Sequence, residues 1–348
     1  MSHLSKNNTI LGLDIGTHSV KAIIAAKSKD GDLELLGASC KEQEPGAMRS
    51  GAIINAPSVE KTCDDAIREA EDKSGATACR VVVGIAGELI KSQTSRIHYT
   101  RSDGDKRFSD IEMFNITTKV ESTAIEKAKK EIAFEMDNPI AEAELINSEL
   151  ISASIDGQKV DNLVGETGED VIIEYYTAVA PSTYVRAIKK ACKDLKLDLV
   201  SIAVDPYAIC QAILSEQDEK ESFILMDIGG GNTNLAVVEE GSVRGTEAFG
   251  IGAKSIEKDL SIWLSGLRIA LEDFPRVDVL PSKIILCGGG AENAELQETL
   301  ALTNWFKGLP FEQRPVIEML DSSAISVIDK ELNLSFATAL SLARIGLK

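Results

Sequence analysis

The sequence predicts an α/β protein of two lobes in which one strand–turn–strand unit occurs twice. Residues 10–22 read ILGLDIGTHSVKA and residues 224–235 read ILMDIGGGNTNL, so an apolar strand ends in Asp-Ile-Gly at both places. A third apolar strand, at 282–287, is followed by the glycines of 288–290. Because two lobes built from a repeated unit typically hold one ligand between them, we expect these turns to face a shared site.

The composition is that of an ordinary soluble protein and excludes several classes of partner. The chain has 348 residues, of which 44% are apolar and 26% charged, and this length favours two domains or lobes. The formal charge, 37 − 55 = −18, argues against binding to nucleic acid or to anionic lipid through a basic face. No signal peptide precedes Ile10, and no apolar run approaches the ~18–20 residues that span a bilayer. We therefore expect a cytoplasmic protein that does not bind nucleic acid.

The cysteines and histidines do not have the spacing of a metal site. The six cysteines are scattered without a CxxC pair, and none of the three histidines stands at ligand spacing from a cysteine or another histidine. We expect mostly buried free thiols in a reducing compartment. A zinc site or a histidine-based catalytic triad is not expected.

The first part of the chain alternates strand and helix patterns with turn residues between them. Short apolar runs bounded by Gly, Asp and Ser predict strands, and a glycine after an amphipathic run predicts the end of a helix. The predicted elements are a polar tail at 1–8, strands at 9–15, 20–26 and 33–38 with a turn at 29–32, a helix at 58–74 that Gly75 ends, and a strand at 79–85.

A change of pattern marks an inserted α+β module. A strand that alternates polar and apolar residues is followed by a helical pattern rich in Glu and Lys at 109–136, and then by two strand-like runs. A helix at 182–196 and a strand at 197–204 resume the α/β pattern. The expected organisation is a first-lobe core at 1–86 and 176–220, the inserted module at 87–175, and a second-lobe core at 221–348.

The second half repeats the opening order and then departs from it. Strands are predicted at 222–227 and 234–239, on either side of the second glycine turn. A following run predicts one amphipathic helix with Ile262, Leu264, Leu267 and Leu271 on its apolar side and with Trp263 as a core residue. The last run, 336–347, also has apolar residues at helical spacing and is expected to pack in the core.

The acid and the glycines at each strand end together indicate a metal-bound phosphate. Glycine lets backbone N–H groups approach a ligand closely, and successive N–H groups form a concavity for phosphate oxygens. An acid beside such a turn would repel a bare phosphate, so a cation is expected between them, and Mg²⁺ suits a site with few carboxylates. We expect Asp14 and Asp227 to serve the metal and Lys21 to reach a phosphate. No P-loop motif is present.

These motifs together resemble those of the actin, sugar-kinase and heat-shock-chaperone ATPases, and further runs resemble the FtsA family of bacterial division proteins. The runs include LDIGTHSVKAIIA, VVVGIAGELIKSQTSRI, VDPYAICQAIL and DIGGGNTNLAVVEEGSV. The resemblance extends over about 9–260 and again over 280–300. It implies a duplicated actin-like (ribonuclease H-like) ATPase fold of two lobes, in which the inserted module is a subdomain of the SHS2 type.

The resemblance also implies ATP with Mg²⁺ as the ligand and gives each motif a role. At most it implies a weak Mg-dependent ATPase, with Asp205 or Gln211 as the residue that positions the attacking water. The implied ligand-binding residues are Asp14, Gly16, Thr17 and Lys21 in the first phosphate motif, Asp227, Gly229, Gly230 and Gly231 in the second, and Gly288, Gly289 and Gly290 beside the adenosine, with Asp14 and Asp227 facing the metal.

The chain departs from the family pattern in two ways that bear on function. Asn232 and Asn234 stand where the family usually has Thr and Asp, which removes a carboxylate near the metal and favours binding without much turnover. At about 255–280 only one predicted helix stands in place of a whole subdomain, so the second-lobe flap is expected to be largely missing. In the family this flap forms one wall of the adenine pocket and carries the docking site for the FtsZ tail, so the resemblance does not imply either feature for this chain.

The resemblance implies a scaffold in bacterial division that links the FtsZ ring to other division or membrane partners. Self-association into filaments is a further expectation from the family. We expect no direct membrane anchor in this chain, so that any location at the inner face of the cell membrane would depend on partners. Three alternatives remain: a PilM-like scaffold of pilus or envelope assembly, a sugar or metabolite kinase on the same fold, and a degenerate interaction module that binds no nucleotide.

Overall fold

The computed structural model divides the chain into two compact units. One unit is formed by Met1–Glu88 and Tyr184–Lys348, and the other by Leu89–Thr183. The predicted tail at 1–8 and the predicted turn at 29–32 lie outside the described residues. The structure describes residues 9–28, 33–77, 79–214, 221–272, 274, 277–321, 325 and 332–347.

The larger unit begins with a buried antiparallel meander and a helix. Its elements are β1 (Thr9–Ile15), β2 (Ser19–Lys27), β3 (Leu33–Glu42), the short strands β4 (Met48–Arg49) and β5 (Ala52–Ile53), helix α1 (Ala56–Ser74) and strand β6 (Arg80–Ile85). Helix α1 begins two residues earlier than the sequence predicts because Asn55 caps it: the Asn55 side chain accepts a hydrogen bond from the Ser58 N–H. Gly75, at φ 64°, ends the helix in the left-handed conformation.

The smaller unit is an antiparallel sheet with one long helix against it. Its elements are β7 (Lys91–Thr100), α2 (Asp110–Glu135), β8 (Ala143–Ile155), β9 (Gln158–Val160) and β10 (Asp170–Pro181), and the strands lie in the order β7-β10-β8-β9. Phe108, Val171 and Ile173 are buried in its core. Arg101, which is 4% exposed, pairs with Glu112 of α2 and lies over the Phe108 ring, so its buried charge is compensated.

After the smaller unit the chain returns to complete the larger one. The remaining elements are α3 (Ser182–Asp194), β11 (Asp198–Val204), α4 (Asp205–Ile213), β12 (Phe223–Ile228), β13 (Thr233–Glu239), β14 (Ser242–Phe249), α5 (Ala253–Ile256), α6 (Leu260–Glu272), β15 (Lys283–Cys287), α7 (Ala294–Leu302), β16 (Val316–Met319) and α8 (Ala337–Leu347). No helix in these described segments, or elsewhere in the described chain, is long and apolar enough to cross a membrane.

The larger unit contains two mixed sheets with the same strand pattern. One sheet has the order β11-β6-β1-β2-β3, and the other has the order β16-β15-β12-β13-β14. In each sheet the first three strands are parallel and the last three form an antiparallel meander. Strands β1 and β12, which end in Asp14-Ile15 and Asp227-Ile228, hold equivalent central positions. The sheets therefore place both Asp-Ile-Gly turns at the carboxyl ends of parallel strands, where ligands bind in α/β proteins.

Helix α8 packs in the core of the larger unit, as its sequence predicts. Ala337–Ala343 are all buried, and the helix contacts β1, β2, β6 and α4. The approach to β1 depends on Gly12, because a Cβ at this position would lie 2.0 Å from the Ala339 carbonyl oxygen and 2.7 Å from the Ala343 nitrogen. Helix α8 therefore rests directly on the backbone of the strand that carries Asp14.

Helix α6 is turned about its axis relative to the sequence prediction. Ile262, predicted on the apolar side, is 53% exposed, whereas Trp263, Leu267 and Leu271 are buried. Trp263 fixes the rotation, because its Nε1 donates a hydrogen bond of 2.8 Å to the buried Thr233 Oγ1. The prediction that Ile262 packs inward is therefore wrong, and the prediction that Trp263 is a core residue is confirmed.

Gly12→Ala is expected to destabilise the protein by about 3 kcal/mol or more, because the new methyl group meets helix backbone that cannot move aside. Gly289→Ala is the matched control, since its Cβ would make an ordinary contact of 3.8 Å with Ser335 Cβ. Urea unfolding of both variants measures the difference. Equal unfolding free energies for the two variants would contradict the close packing of α8 on β1.

Candidate functional site

The three glycine turns open on one crevice of about 510 Å³ in the larger unit. Gln211 and Gly231 are predicted site residues that are not in its described lining. The predicted residues that line the crevice are Asp14, Gly16, Thr17 and Lys21 from the first turn and strand, Asp227, Gly229 and Gly230 from the second, Gly288, Gly289 and Gly290 from the third, and Asp205 from the start of α4.

The first two turns are in contact, because the backbone of the second turn lies against side chains of the first. A Cβ on Gly230 would lie 2.6 Å from His18 Cβ, and a Cβ on Gly231 would lie 3.0 Å from Thr17 Cγ2. Glycine at these positions therefore permits a close approach that a larger residue would prevent. Gly231 does not line the crevice, and its contact with Thr17 instead keeps the two turns together.

Asp14 forms an ion pair with Lys21, which lies on β2, the strand after the first glycine turn. It lies opposite Lys21 in the β1–β2 register, and Lys21 Nζ donates a hydrogen bond of 3.0 Å to Asp14 Oδ2. Burial disfavours the Lys21 ammonium, but the attraction of Asp14, its hydrogen bond and the charge of Asp227 together raise the Lys21 pKa. Lys21 is therefore a positioned cation at neutral pH.

Asp227 holds the equivalent position in the second sheet but has a neutral partner. It lies opposite Asn234 in the β12–β13 register, and Asn234 Nδ2 donates a hydrogen bond of 3.1 Å to Asp227 Oδ2. Burial and the charge of Asp14 raise the pKa of Asp227, and the hydrogen bond from Asn234 opposes this effect. Each acid thus has one cross-strand donor, which is charged in the first sheet and uncharged in the second.

The third glycine turn lies directly against Asp227. Gly288, at φ 81°, follows β15, which is parallel to β12. A Cβ on Gly288 would lie 2.5 Å from Asp227 Oδ1 and 2.6 Å from the Ile228 carbonyl oxygen. Gly288 therefore provides both the left-handed backbone and the space beside the carboxylate that this turn requires.

Asp205 adds a third carboxylate to the crevice. It is the first residue of α4 and is 7% exposed. The Ile85 N–H donates to its carboxylate, but Asp205 Oδ1 is buried without a hydrogen-bond partner in the described structure. Burial, reinforced by the charges of Asp14 and Asp227, raises the Asp205 pKa well above its ordinary value. Gln211, the other candidate for positioning water, instead donates to the Tyr207 hydroxyl at 3.1 Å.

The charges and the turns fit a phosphate chain with a divalent cation. Asp14, Asp205 and Asp227 share the described lining with Lys21, and clustered buried carboxylates favour a cation among them. Within the described residues, no group of three or more His, Cys, Asp and Glu side chains is arranged to hold a metal ion. Mg²⁺ ordinarily takes one or two carboxylates and completes its coordination with waters and phosphate oxygens. Asp205 lines the crevice, but its Oδ1 atom is buried against Gly84, where a Cβ would come within 2.2 Å of it.

Several lining residues were not predicted from the sequence. Cys40 lies opposite Lys21 in the β2–β3 register, so a longer predicted hairpin would have placed it beside the site. The exposed Lys254 and Glu257 line the crevice from α5 and the residue after it. Ser335 and Thr338 line it from the end of the chain, and no local pattern marks them, because only the packing of α8 brings them there.

The fold is the actin-like ATPase fold, of mixed α/β class with two sheets in the larger unit. A solved structure, a chain of a PilM-PilN type IV pilus biogenesis complex, matches 97% of this chain and 98% of its own length with a TM-score of 0.66 and 17% identity. No protein-family model matches the chain.

By sequence the chain is a distant relative of the FtsA family. It is 29% identical over 250 residues to the cell division protein FtsA of Neisseria meningitidis serogroup B. This match covers 72% of this chain and 56% of that protein. It is 25% identical over 265 residues to FtsA of Pseudomonas aeruginosa, and this match covers 76% of this chain and 59% of that protein. The chain thus spans a little over half the length of the curated relatives it matches.

Asp205→Asn is expected to stabilise the protein at neutral pH when nucleotide and divalent cations are absent. Burial and the charges of Asp14 and Asp227 disfavour the ionised Asp205 carboxylate, and Asn removes that charge while it keeps a polar group, so we expect a gain of about 1–3 kcal/mol, the usual cost of an uncompensated buried group. The folded protein binds a proton at Asp205 more tightly than the unfolded chain does. Wild-type stability therefore falls as the pH rises from the ordinary Asp pKa of 3.8 through the raised folded-state pKa, and the gain grows over the same range.

Urea unfolding in the presence of a chelator, at acidic and at neutral pH, measures this difference. Asp198→Asn is the control, because Asp198 is exposed at the start of β11 and its replacement should leave the unfolding free energy unchanged. A loss of stability in Asp205→Asn at neutral pH would show that the carboxylate has a stabilising partner in the folded protein.

Proposed function

We propose that the chain is an FtsA-like scaffold of bacterial cell division that binds ATP with Mg²⁺ in the crevice of its larger unit. The observation that supports this proposal is the convergence of two acid-ended strands, from distant parts of the sequence, on one lining. The resemblance of the chain to FtsA proteins supports the division role.

The proposed ligand divides the crevice into three parts. Asp14 and Asp227 would face Mg²⁺, which neutralises phosphate charge when it is bound. Lys21, Thr17 and the first two glycine turns would hold the β- and γ-phosphates through a cation, a hydroxyl and backbone N–H groups. The turn at 288–290 would lie beside the adenosine. Asp205 is the better placed of the two candidates for positioning an attacking water, because it lines the crevice and Gln211 does not.

We further propose that the protein holds its nucleotide with little turnover. Asn234 donates an amide hydrogen to Asp227 at a position where the family pattern has Asp, so the site has one acid fewer than that pattern. A slowly exchanging or slowly hydrolysed nucleotide suits a scaffold whose task is to present surfaces to partners. The enzyme activity we propose is at most weak.

The surfaces that partners use belong to the rest of the proposal. We assign the smaller unit, predicted at 87–175, to the SHS2-type subdomain, and we infer that the second-lobe flap is largely missing, with α6 as its remnant within about 255–280. The proposed partners are FtsZ-like or other division or envelope proteins and further copies of this chain. The cytoplasmic location, with any membrane link made through partners, remains part of this proposal.

A PilM-like role in pilus or envelope assembly is the second candidate. It is favoured by the fold, because a chain of the solved PilM-PilN complex matches 97% of this chain with a TM-score of 0.66. Sequence favours the first candidate, because the curated relatives that the chain matches include FtsA proteins from several bacteria.

Removal of either acid is expected to weaken nucleotide binding at least tenfold, because a carboxylate that orients the metal contributes about 1.5–3 kcal/mol through charge-assisted contacts. The measurement is a titration of fluorescent ATP with Mg²⁺ into the wild type, Asp14→Asn and Asp227→Asn. Asp198→Asn, an exposed acid outside the crevice, is the control and should bind as the wild type does. Equal, weak binding by all four proteins would remove the nucleotide from the proposal.

Deletion of the gene in its native bacterium distinguishes the two candidate roles. A division scaffold predicts long undivided cells, because septation would lose a component that links the ring to its partners. Microscopy of cell length together with surface-pilus staining measures both functions. Normal cell length with loss of pili would favour the PilM-like role and contradict the proposed one.

A further inference from the structure

The two acid-ended strands have the same local construction but different electrostatics. In each sheet a residue seven positions after the acid lies directly opposite it, as Asp14 with Lys21 and Asp227 with Asn234. In each case that residue donates to the Oδ2 atom of the acid, at 3.0 Å from Lys21 and 3.1 Å from Asn234. The charge of Asp14 is therefore compensated by a cation, whereas Asp227 is held by a neutral amide.

Asn234 is itself held by a second amide. Asn232 Nδ2 donates a hydrogen bond of 3.0 Å to Asn234 Oδ1, which orients the Asn234 amide so that its NH₂ group points to Asp227. Asn232 is 9% exposed and Asn234 is 3% exposed, so water competes little for these hydrogen bonds. The result is a buried chain of donors that runs from Asn232 through Asn234 to the carboxylate.

Thr233, the residue between the two asparagines, is held by hydrogen bonds on the other side of the strand. Successive side chains of a strand point to opposite faces, and Thr233 is fully buried. Its Oγ1 donates to the Ile251 carbonyl oxygen at 2.8 Å and accepts the hydrogen bond from Trp263 Nε1. These two hydrogen bonds therefore hold Thr233 on the face of β13 opposite Asn234.

The outcome for Asp227 is a fixed carboxylate orientation in the lining of the crevice. Oδ2 accepts the hydrogen bond from Asn234, Oδ1 lies beside Gly288, where a Cβ would come within 2.5 Å of it, and the residue as a whole lines the crevice. A hydrogen bond from a neutral amide orients a carboxylate without offsetting its charge, whereas the Lys21 ammonium offsets part of the charge of Asp14. The two acids are therefore not equivalent toward a cation.

We propose that Asn234 is a positioning residue that holds Asp227 as the main cation-facing carboxylate, while Asp14 mainly positions Lys21 toward the phosphates. This inference rests on the proposed Mg·nucleotide site. It predicts that Asn234 affects the divalent cation through Asp227, and that the departure from the family's acid at this position leaves a working metal site rather than a damaged one.

The test is the Mg²⁺ concentration needed for half-maximal nucleotide binding, measured with fluorescent ATP and, for the metal alone, by Mn²⁺ electron paramagnetic resonance. Loss of a group that supports a metal-binding carboxylate typically lowers metal affinity about 10–100-fold, so we expect this shift in Asn234→Ala. Asp227→Asn should shift the requirement at least as far. The double variant should match Asp227→Asn alone, because Asn234 acts through the residue already removed.

Two further variants separate positioning from packing. Asn234→Leu keeps the branched shape and the number of side-chain heavy atoms without the donor and should show the same shift as Asn234→Ala, which keeps the test available if the cavity left by Ala prevents folding. Thr233→Val is the matched control in the same strand. It loses the hydrogen bonds to Trp263 and Ile251 but keeps the Asn234 donor, so it should lower the unfolding temperature and shift the Mg²⁺ requirement less than Asn234→Leu does.

Additive losses in the double variant, or an unchanged Mg²⁺ requirement in Asn234→Leu, would overturn the positioning role while leaving nucleotide binding in place. A wild-type protein that binds neither Mn²⁺ nor Mg·ATP would instead overturn the proposed function on which this inference depends.

Discussion

The close approach of two glycine turns is the constraint on which the site depends. A Cβ on Gly230 would come within 2.6 Å of His18 Cβ, and one on Gly231 within 3.0 Å of Thr17 Cγ2, so the glycines let the two turns lie close together, with Asp14 and Asp227 in one lining. Buried like charges repel each other, and this repulsion contributes to the raised pKa of Asp227. A divalent cation bound between Asp14 and Asp227 would relieve this repulsion. Binding sites commonly hold unfavourable local arrangements of this kind, which the surrounding structure stabilises.

The scaffold around the turns explains how this arrangement persists. Strands β1 and β12 are central in their sheets, and their neighbours hold them in register on both sides. Helix α8 rests on Gly12 below the first acid, and Trp263 of α6 reaches Thr233 behind the second. Each acid thus stands at the end of an element whose position is fixed by packing well away from the ligand. Rigid support of this kind keeps a site preorganised, so that binding does not have to order it.

Much of this arrangement could be predicted from the sequence because its signals are local. Apolar runs that end in Asp-Ile-Gly fixed the strands and the turns, and the repeated motif indicated that the acids would meet. The rotation of α6 could not be predicted in this way, because Ile262 and Trp263 are both apolar and only the hydrogen bond to Thr233 distinguishes them. The positions of Ser335 and Thr338 in the lining could not be predicted either, because only tertiary packing brings these residues to the crevice. Asn234 was visible in the sequence as a departure from the family pattern, but its role became clear only when the register placed it opposite Asp227.

The central claim is that the two acid-ended strands face a single metal-bound phosphate chain. A crystal structure of the protein grown with Mn²⁺ and a non-hydrolysable ATP analogue tests it most directly, because the anomalous signal of manganese locates the metal independently of the nucleotide. The account predicts one manganese peak in the crevice beside Asp227, with the phosphates between the turns at Gly16 and Gly229. Manganese bound only at surface acids, with the analogue absent from the crevice or bound elsewhere, would contradict it.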